Sequence, residues 1–167
     1  MIPMLLGILV SFAAQATDLK MQLTEVVGGK ESWKPKIFST LKVNMTCDEV
    51  KVVYPALADC DPAKDYSFAS VAVAEHPLIS EYEFVFKMGK LSGSRIIFKS
   101  NIDKDEFKAA SLELFEAKWG TVKPEKREQD ILTSIGPKYI KAQRTYMGGQ
   151  WRLDIDLPET EKKIRFF

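Results

Sequence analysis

The segment EYEFVFKMGKLSGSRIIFK, Glu81 to Lys99, restricts the fold more than any other part of the chain. Tyr82, Phe84 and Phe86 alternate with Glu81, Glu83, Val85 and Lys87, the period-two pattern of a strand with one face on a core and the other in water. Gly89-Lys90 makes a tight turn into a second apolar segment, Leu91 to Lys99, so the two pair as an antiparallel hairpin. Such a sheet needs a cover for its apolar face, and the flanking sequence supplies helices.

The first helix is announced by Thr46 and Glu49, a T-x-x-E capping box in which the threonine hydroxyl accepts from the Glu49 amide and the glutamate reaches back to the Thr46 amide. Val50, Val53, Tyr54 and Leu57 follow at helical spacing, and Pro55 disfavours helical geometry at Tyr54. A strand, Ser67 to Ala74, precedes the hairpin. Asp103 and Glu106 open a second helix that stops at Gly120. Phe107, Ala110, Leu114 and Ala117 or Lys118 mark its apolar face, widened by Phe115 and Trp119. A charged link, KPEKREQD, leads to a short helical candidate, ILTSIG. YIKAQRTYM, QWRLDIDL and KIRFF then read as a closing three-strand meander. Ile37 to Val43 is a further strand candidate, and Thr17 to Lys36 reads as a lead-in of short strand or coil. The predicted fold is α+β: an antiparallel sheet with helices packed on one face, residues 37–167 forming one domain with two similar helix-plus-three-strand halves, 37–100 and 101–167. A parallel doubly wound fold is disfavoured because strands and helices do not alternate singly.

The N-terminus bears on location. MIPMLLGILVSFAAQA carries no charged side chain, has an apolar run from Met4 to Ala14, and ends in small residues at Ala14 and Ala16, as a secretory signal cleaved after Ala16 does. The run is short for about 30 Å of hydrocarbon, so residues 1–16 are read as a signal peptide and not a transmembrane anchor. The expected location is periplasmic or secreted. Lysine plus arginine (24) balances aspartate plus glutamate (23), which leaves no strong field for nucleic acid or anionic lipid.

MTCDEVKVVYPAL followed by EYEFVFKMGKLSGSRIIF resembles small bacterial envelope domains of the SmpA/OmlA type and the related beta-lactamase inhibitor-like fold. In that pattern a capped helix beginning at a Met-Thr pair precedes antiparallel strands with an aromatic rhythm and a Gly-Lys-Leu turn. The resemblance covers Val43 to Phe98 and implies a periplasmic α+β interaction module. Asn44 stands where the family tends to have glycine, and the lipobox cysteine of its anchored members is absent. No functional residue of the family is carried over.

Cys47 and Cys60 flank the first helix. A straight helix to Leu57 would hold them about 15 Å apart, whereas one stopping near Tyr54 lets Cys60 fold back to the ~5–6 Å between Cα atoms that a disulfide needs. In an exported chain this even pair reads as a structural disulfide. The rival chemistries lack partners in the sequence. Cys47 has no C-x-x-C spacing and one histidine, His76 in a loop, to serve as base. Zinc would need those three residues plus carboxylates at no characteristic spacing. Asp59, Asp61 and Asp65 lack the glycine and closing glutamate of a calcium loop. No hydrolase, metalloprotease or nucleotide-binding motif occurs. No cofactor, metal site or catalytic residue is therefore assigned.

The expected function is a non-enzymatic module that binds another envelope or secreted protein. The alternative is a carrier for a small apolar molecule or lipid, and an enzyme of unknown class is third. Trp33, Trp119, Tyr146, Trp151, Phe166 and Phe167 are the partner-binding candidates if part of that set lies on the open sheet face; the other expectation for them is the core.

Overall fold

The computed structural model describes residues 18–29, 34–120, 131–135 and 141–156. Residues 18–27 form a helix, α1, where strand or coil was expected. Leu19, Leu23, Val26 and Val27 are buried, spaced i, i+4, i+7 and i+8 along one helical stripe. Gly28 ends it with φ +75° and an N–H donated to the Thr24 carbonyl at 2.8 Å, a left-handed glycine cap. The strand expected over Ile37 to Val43 is instead a 3-10 turn, Lys36–Phe38, and a following turn. Phe38 and Leu41 are both buried, a spacing of three that a turn satisfies and an alternating strand does not.

Helix α2 (Cys47–Val53) starts at the expected capping box, with Thr46 accepting from the Glu49 amide and Glu49 accepting from the Thr46 amide. It stops where Pro55 requires, the Tyr54 N–H closing on Val50 O at 2.9 Å. The next elements are β1 (Tyr66–Ala72), β2 (Ile79–Lys87), β3 (Lys90–Phe98), α3 (Lys104–Trp119), β4 (Ile131–Ile135), β5 (Lys141–Met147) and β6 (Gln150–Asp156). The short helix expected at ILTSIG is thus a strand, β4, paired antiparallel to β5 from Ile131↔Thr145 to Ile135↔Lys141. Five residues are too few to reveal a helical period, and the partner strand decides. The strand expected at KIRFF and the signal peptide, residues 1–16, lie outside the described residues.

Among the described residues all five pairings are antiparallel, and the sheet runs β1-β2-β3-β6-β5-β4. The chain is therefore α+β. The expectation of two similar halves goes no further than element order. The helices before the two meanders have 7 and 16 residues, and α1 and the disulfide have no counterpart among the described residues of the second stretch.

Hairpin β2–β3 turns on Met88 and Gly89, one residue before the expected pair. Both have positive φ, +50° and +72°, as a two-residue type I′ turn demands. Gly148 and Gly149 (φ +61° and +78°) do the same between β5 and β6. Two bulges interrupt the β2–β3 register, one between Ile79 and Glu81 and one opposite Val85 and Phe86. Each leaves a serine without a cross-strand partner, Ser80 and Ser92, whose hydroxyls donate to Ile97 O and Val85 O at 3.1 Å. The extra residues let Ile79 and Leu91 join the buried face while Glu81 and Gly93 fall on the other.

Among the described residues one hydrophobic cluster covers that buried face: Phe84, Phe86, Leu91, Ile96, Phe98, Trp151, Leu153 and Ile155 from the sheet, with residues of α1, α2 and α3. Phe107 of α3 lies between Phe98 (ring centroids 4.6 Å) and a stacked Trp151 (5.2 Å). Tyr54 and Phe38 pack edge-on or tilted against Tyr82 and Phe84. The buried stripe of α3 is Phe107, Ser111, Phe115, Lys118 and Trp119, with Ala110 and Leu114 half-buried at its margin. Ser111 takes the centre because Arg144, fully buried on β5, donates to its hydroxyl at 2.6 Å and to Lys108 O at 2.9 Å, its guanidinium 5.0 Å from the Trp151 ring. Lys118 reaches Gly29 O at 2.7 Å and ties the end of α3 to the end of α1.

Candidate interaction surface

The disulfide is formed: Cys47 and Cys60 are joined, with Cα atoms 6.0 Å apart. It closes because α2 ends at Val53 and residues 54–60 fold back. Leu57 is buried, its N–H donating to Tyr54 O at 2.9 Å, and the Ala58 N–H donates to Ser70 O of β1 at 3.4 Å. The Tyr54 hydroxyl donates to Ile37 O at 2.8 Å and roots the start of this strap; burial raises its pKa well above the ordinary phenol value. A disulfide in the folded chain points to an oxidising compartment. The aspartates of the loop are engaged locally, Asp59 with Lys51, and Asp61 with the Ala63 amide and Lys64. Among the described residues no three His, Cys, Asp or Glu side chains are placed to hold a metal ion, and no helix is long and apolar enough to cross a membrane.

His76 does more than occupy a loop. Its Nδ1 accepts from the Leu78 and Ile79 amides, both at 3.1 Å, and so caps the start of β2. Burial and then the Lys99 charge lower its pKa, which favours the neutral ring whose Nδ1 can accept.

The aromatic candidates divide. Trp119 and Trp151 are 2% and 1% exposed, so neither meets a partner from the open side. Trp119 closes the end of α3 against Phe115, and Trp151 faces the helices by strand alternation. Tyr146 is half-buried beside Trp151 with the Lys104 ammonium 4.7 Å over its ring. Trp33, Phe166 and Phe167 lie outside the described residues.

The open face carries a different set. Tyr66 and Phe68 of β1, each 57% exposed, alternate with buried Ser67 and Ala69 and so face away from the helices. Phe68 sits opposite Val85, which sits opposite Gly93. A Cβ on Gly93 would come within 3.3 Å of Ile155 O, so the floor beside Val85 stays low. The next row is charged: Arg95 of β3 donates through Nη1 to Glu83 of β2 and through Nε to Asp154 of β6. Together these make an aromatic margin along β1 beside an ion-paired polar centre. Phe68 was legible only as part of an apolar strand, and Tyr66 fell one residue before its expected start; which face they occupy depends on the register with β2.

Compared with known proteins, the chain matches no family model, no curated protein and no solved structure.

Proposed function

We propose that this chain is an exported, non-enzymatic module of the periplasm or secreted fraction that binds another protein through the β1 margin of its open sheet face. The observation that carries the reading is the exposure of Tyr66 and Phe68, two large aromatics side by side on a sheet face whose centre is already ion-paired. Aromatic side chains lose little conformational freedom on docking and dominate binding energy where they are buried. A charge-balanced chain and a disulfide fit the location and a protein partner. The likeness to SmpA/OmlA-type domains gains one point of support. Asn44, where that family tends to have glycine, adopts φ +66°, the left-handed region that glycine and asparagine tolerate best.

A carrier of a small molecule or lipid that bears a polar group is the second reading. The hydroxyls of Ser67 and Ser94 and the Trp151 indole N–H are buried without a hydrogen-bond partner, polar groups that an enclosed ligand would satisfy.

The test is affinity capture with mild crosslinking from envelope and culture fractions, using wild type and Phe68→Lys as baits. One protein retained in fixed ratio by wild type and lost with Phe68→Lys is the expected result. Equal retention by both baits, or none by either, refutes the reading. In the latter case native mass spectrometry of the purified chain tests the carrier.

A further inference from the structure

The edge strand β1 lacks the usual protections. Over Tyr66–Ala72 it has no charged residue and no proline, and its register with β2 runs unbroken from Tyr66↔Lys87 to Ala72↔Glu81, without a bulge. Natural edge strands are ordinarily blunted by one of those devices. The direction of its backbone groups follows from the flanking bonds. Asp65 O accepts from Met88 N, and Val73 N donates to Ser80 O, so odd-numbered residues face β2 and Tyr66, Phe68, Ser70 and Ala72 turn their amides and carbonyls outward. Among the described residues the one backbone bond made across this edge is Ala58 N–H to Ser70 O, at 3.4 Å long for its kind. It comes from the strap at residues 54–60. Beyond Leu57 that strap is held by this bond, by the solvent-exposed Lys51–Asp59 pair and by the disulfide at Cys60. Of the three only the disulfide is strong, since exposed ion pairs contribute little.

From this arrangement we infer that Cys47–Cys60 is a clasp holding the strap over β1, and that opening it lets a second copy of this chain add its own β1 antiparallel to the first. The second copy suits the edge because an uncharged strand laid antiparallel on itself sets no like charges opposite one another. The contact is isologous and closes as a dimer. Opening proceeds by exchange. One thiolate of a dithiol attacks a clasp sulfur and expels the other cysteine as thiolate. The second thiol of the reagent then displaces the remaining cysteine. The reagent leaves as its disulfide, having given two electrons to the cysteine pair, and its two thiol protons account for those of the two thiols formed.

Light scattering after size exclusion tests this with the full chain, oxidised or treated with dithiothreitol, and with a Cys47→Ala/Cys60→Ala variant. The expected result is a monomer when oxidised and about a twofold mass when reduced or lacking the cysteines, returning to monomer on reoxidation of wild type. Ser70→Pro removes an outward N–H without a bond to β2, and Ala72→Lys supplies the missing charge. Either, placed on the cysteine-free variant, restores the monomer, and neither touches Tyr66, Phe68 or the disulfide. A reduced protein that stays monomeric while circular dichroism shows it folded overturns the inference, and so does a dimer indifferent to both edge variants. Capture by the open face is scored on the oxidised monomer, so the two readings fail separately.

Discussion

Opening the Cys47–Cys60 bond should cost about 3 kcal/mol of stability. Thirteen positions separate the two cysteines, and the entropy a cross-link of that span removes from the unfolded chain is about 10 cal/mol/K, about 3 kcal/mol at 25 °C. The native side of the balance changes little. The Cα separation of 6.0 Å lies in the ordinary range for a disulfide, both cysteines are only half-buried, and with the Thr46 cap and buried Leu57 in place the release is confined to residues 58–60. With a urea m-value of about 2 kcal/mol/M for a chain of this size the midpoint falls by about 1.5 M at constant m, and the melting temperature by about 6–12 °C. The assay is urea titration followed by tryptophan fluorescence, with Trp119 and Trp151 buried as reporters, at concentrations low enough to keep the reduced chain monomeric. Wild type in dithiothreitol and Cys47→Ala/Cys60→Ala should shift alike. A shift below about 0.3 M in both, about 0.6 kcal/mol, would refute the loop-entropy reasoning. A loss in the variant alone would assign the effect to side-chain packing.

Phe107→Ala should destabilise by about 3–5 kcal/mol, because the ring is fully buried between Phe98 and Trp151; chemical denaturation measures it, and a loss under about 1.5 kcal/mol contradicts that packing. Arg144→Ala should cost about 2–4 kcal/mol, since it strips Ser111 and the Lys108 carbonyl of a buried donor and uncovers Trp151; an unchanged midpoint would count against the buried contact. His76 makes stability pH-dependent. Its folded pKa lies below the unfolded one, so the unfolded chain binds more protons in that interval. Stability is therefore full above about pH 6.5 and declines as pH falls toward the folded pKa. His76→Asn, which keeps a side-chain acceptor, should flatten that decline between pH 7 and 5; parallel profiles for wild type and variant would refute the assignment.

The elements that could be read from sequence are those where two local signals agree. Thr46 with Glu49 and Asp103 with Glu106 marked α2 and α3, and alternation around Phe84 and Leu153 marked β2 and β6. α1 had a full stripe in Leu19, Leu23, Val26 and Val27, but its β-branched end and the glycines after it imitate a strand running into coil. β4 and the bulges at Ser80 and Ser92 are decided by partner strands, which a local window does not contain. The candidate surface was the least legible part. Tyr66 and Trp151 are both aromatic and both lie on strands, and only their places in the sheet send one outward and the other into the core.

The junction of β3 with β6 has a bearing on how the molecule comes apart. Strands 55 to 63 positions apart in the chain meet there, from Ile97↔Arg152 to Gly93↔Asp156, and Phe107 is wedged between a ring from each side. Neither meander owns that wedge. Severing the chain between residues 100 and 103 would leave the first fragment without α3 and the second without Phe98, each with half of a shared interior laid open to water. The two should therefore melt in a single cooperative step, and recombine as complementary fragments rather than persist as independent modules.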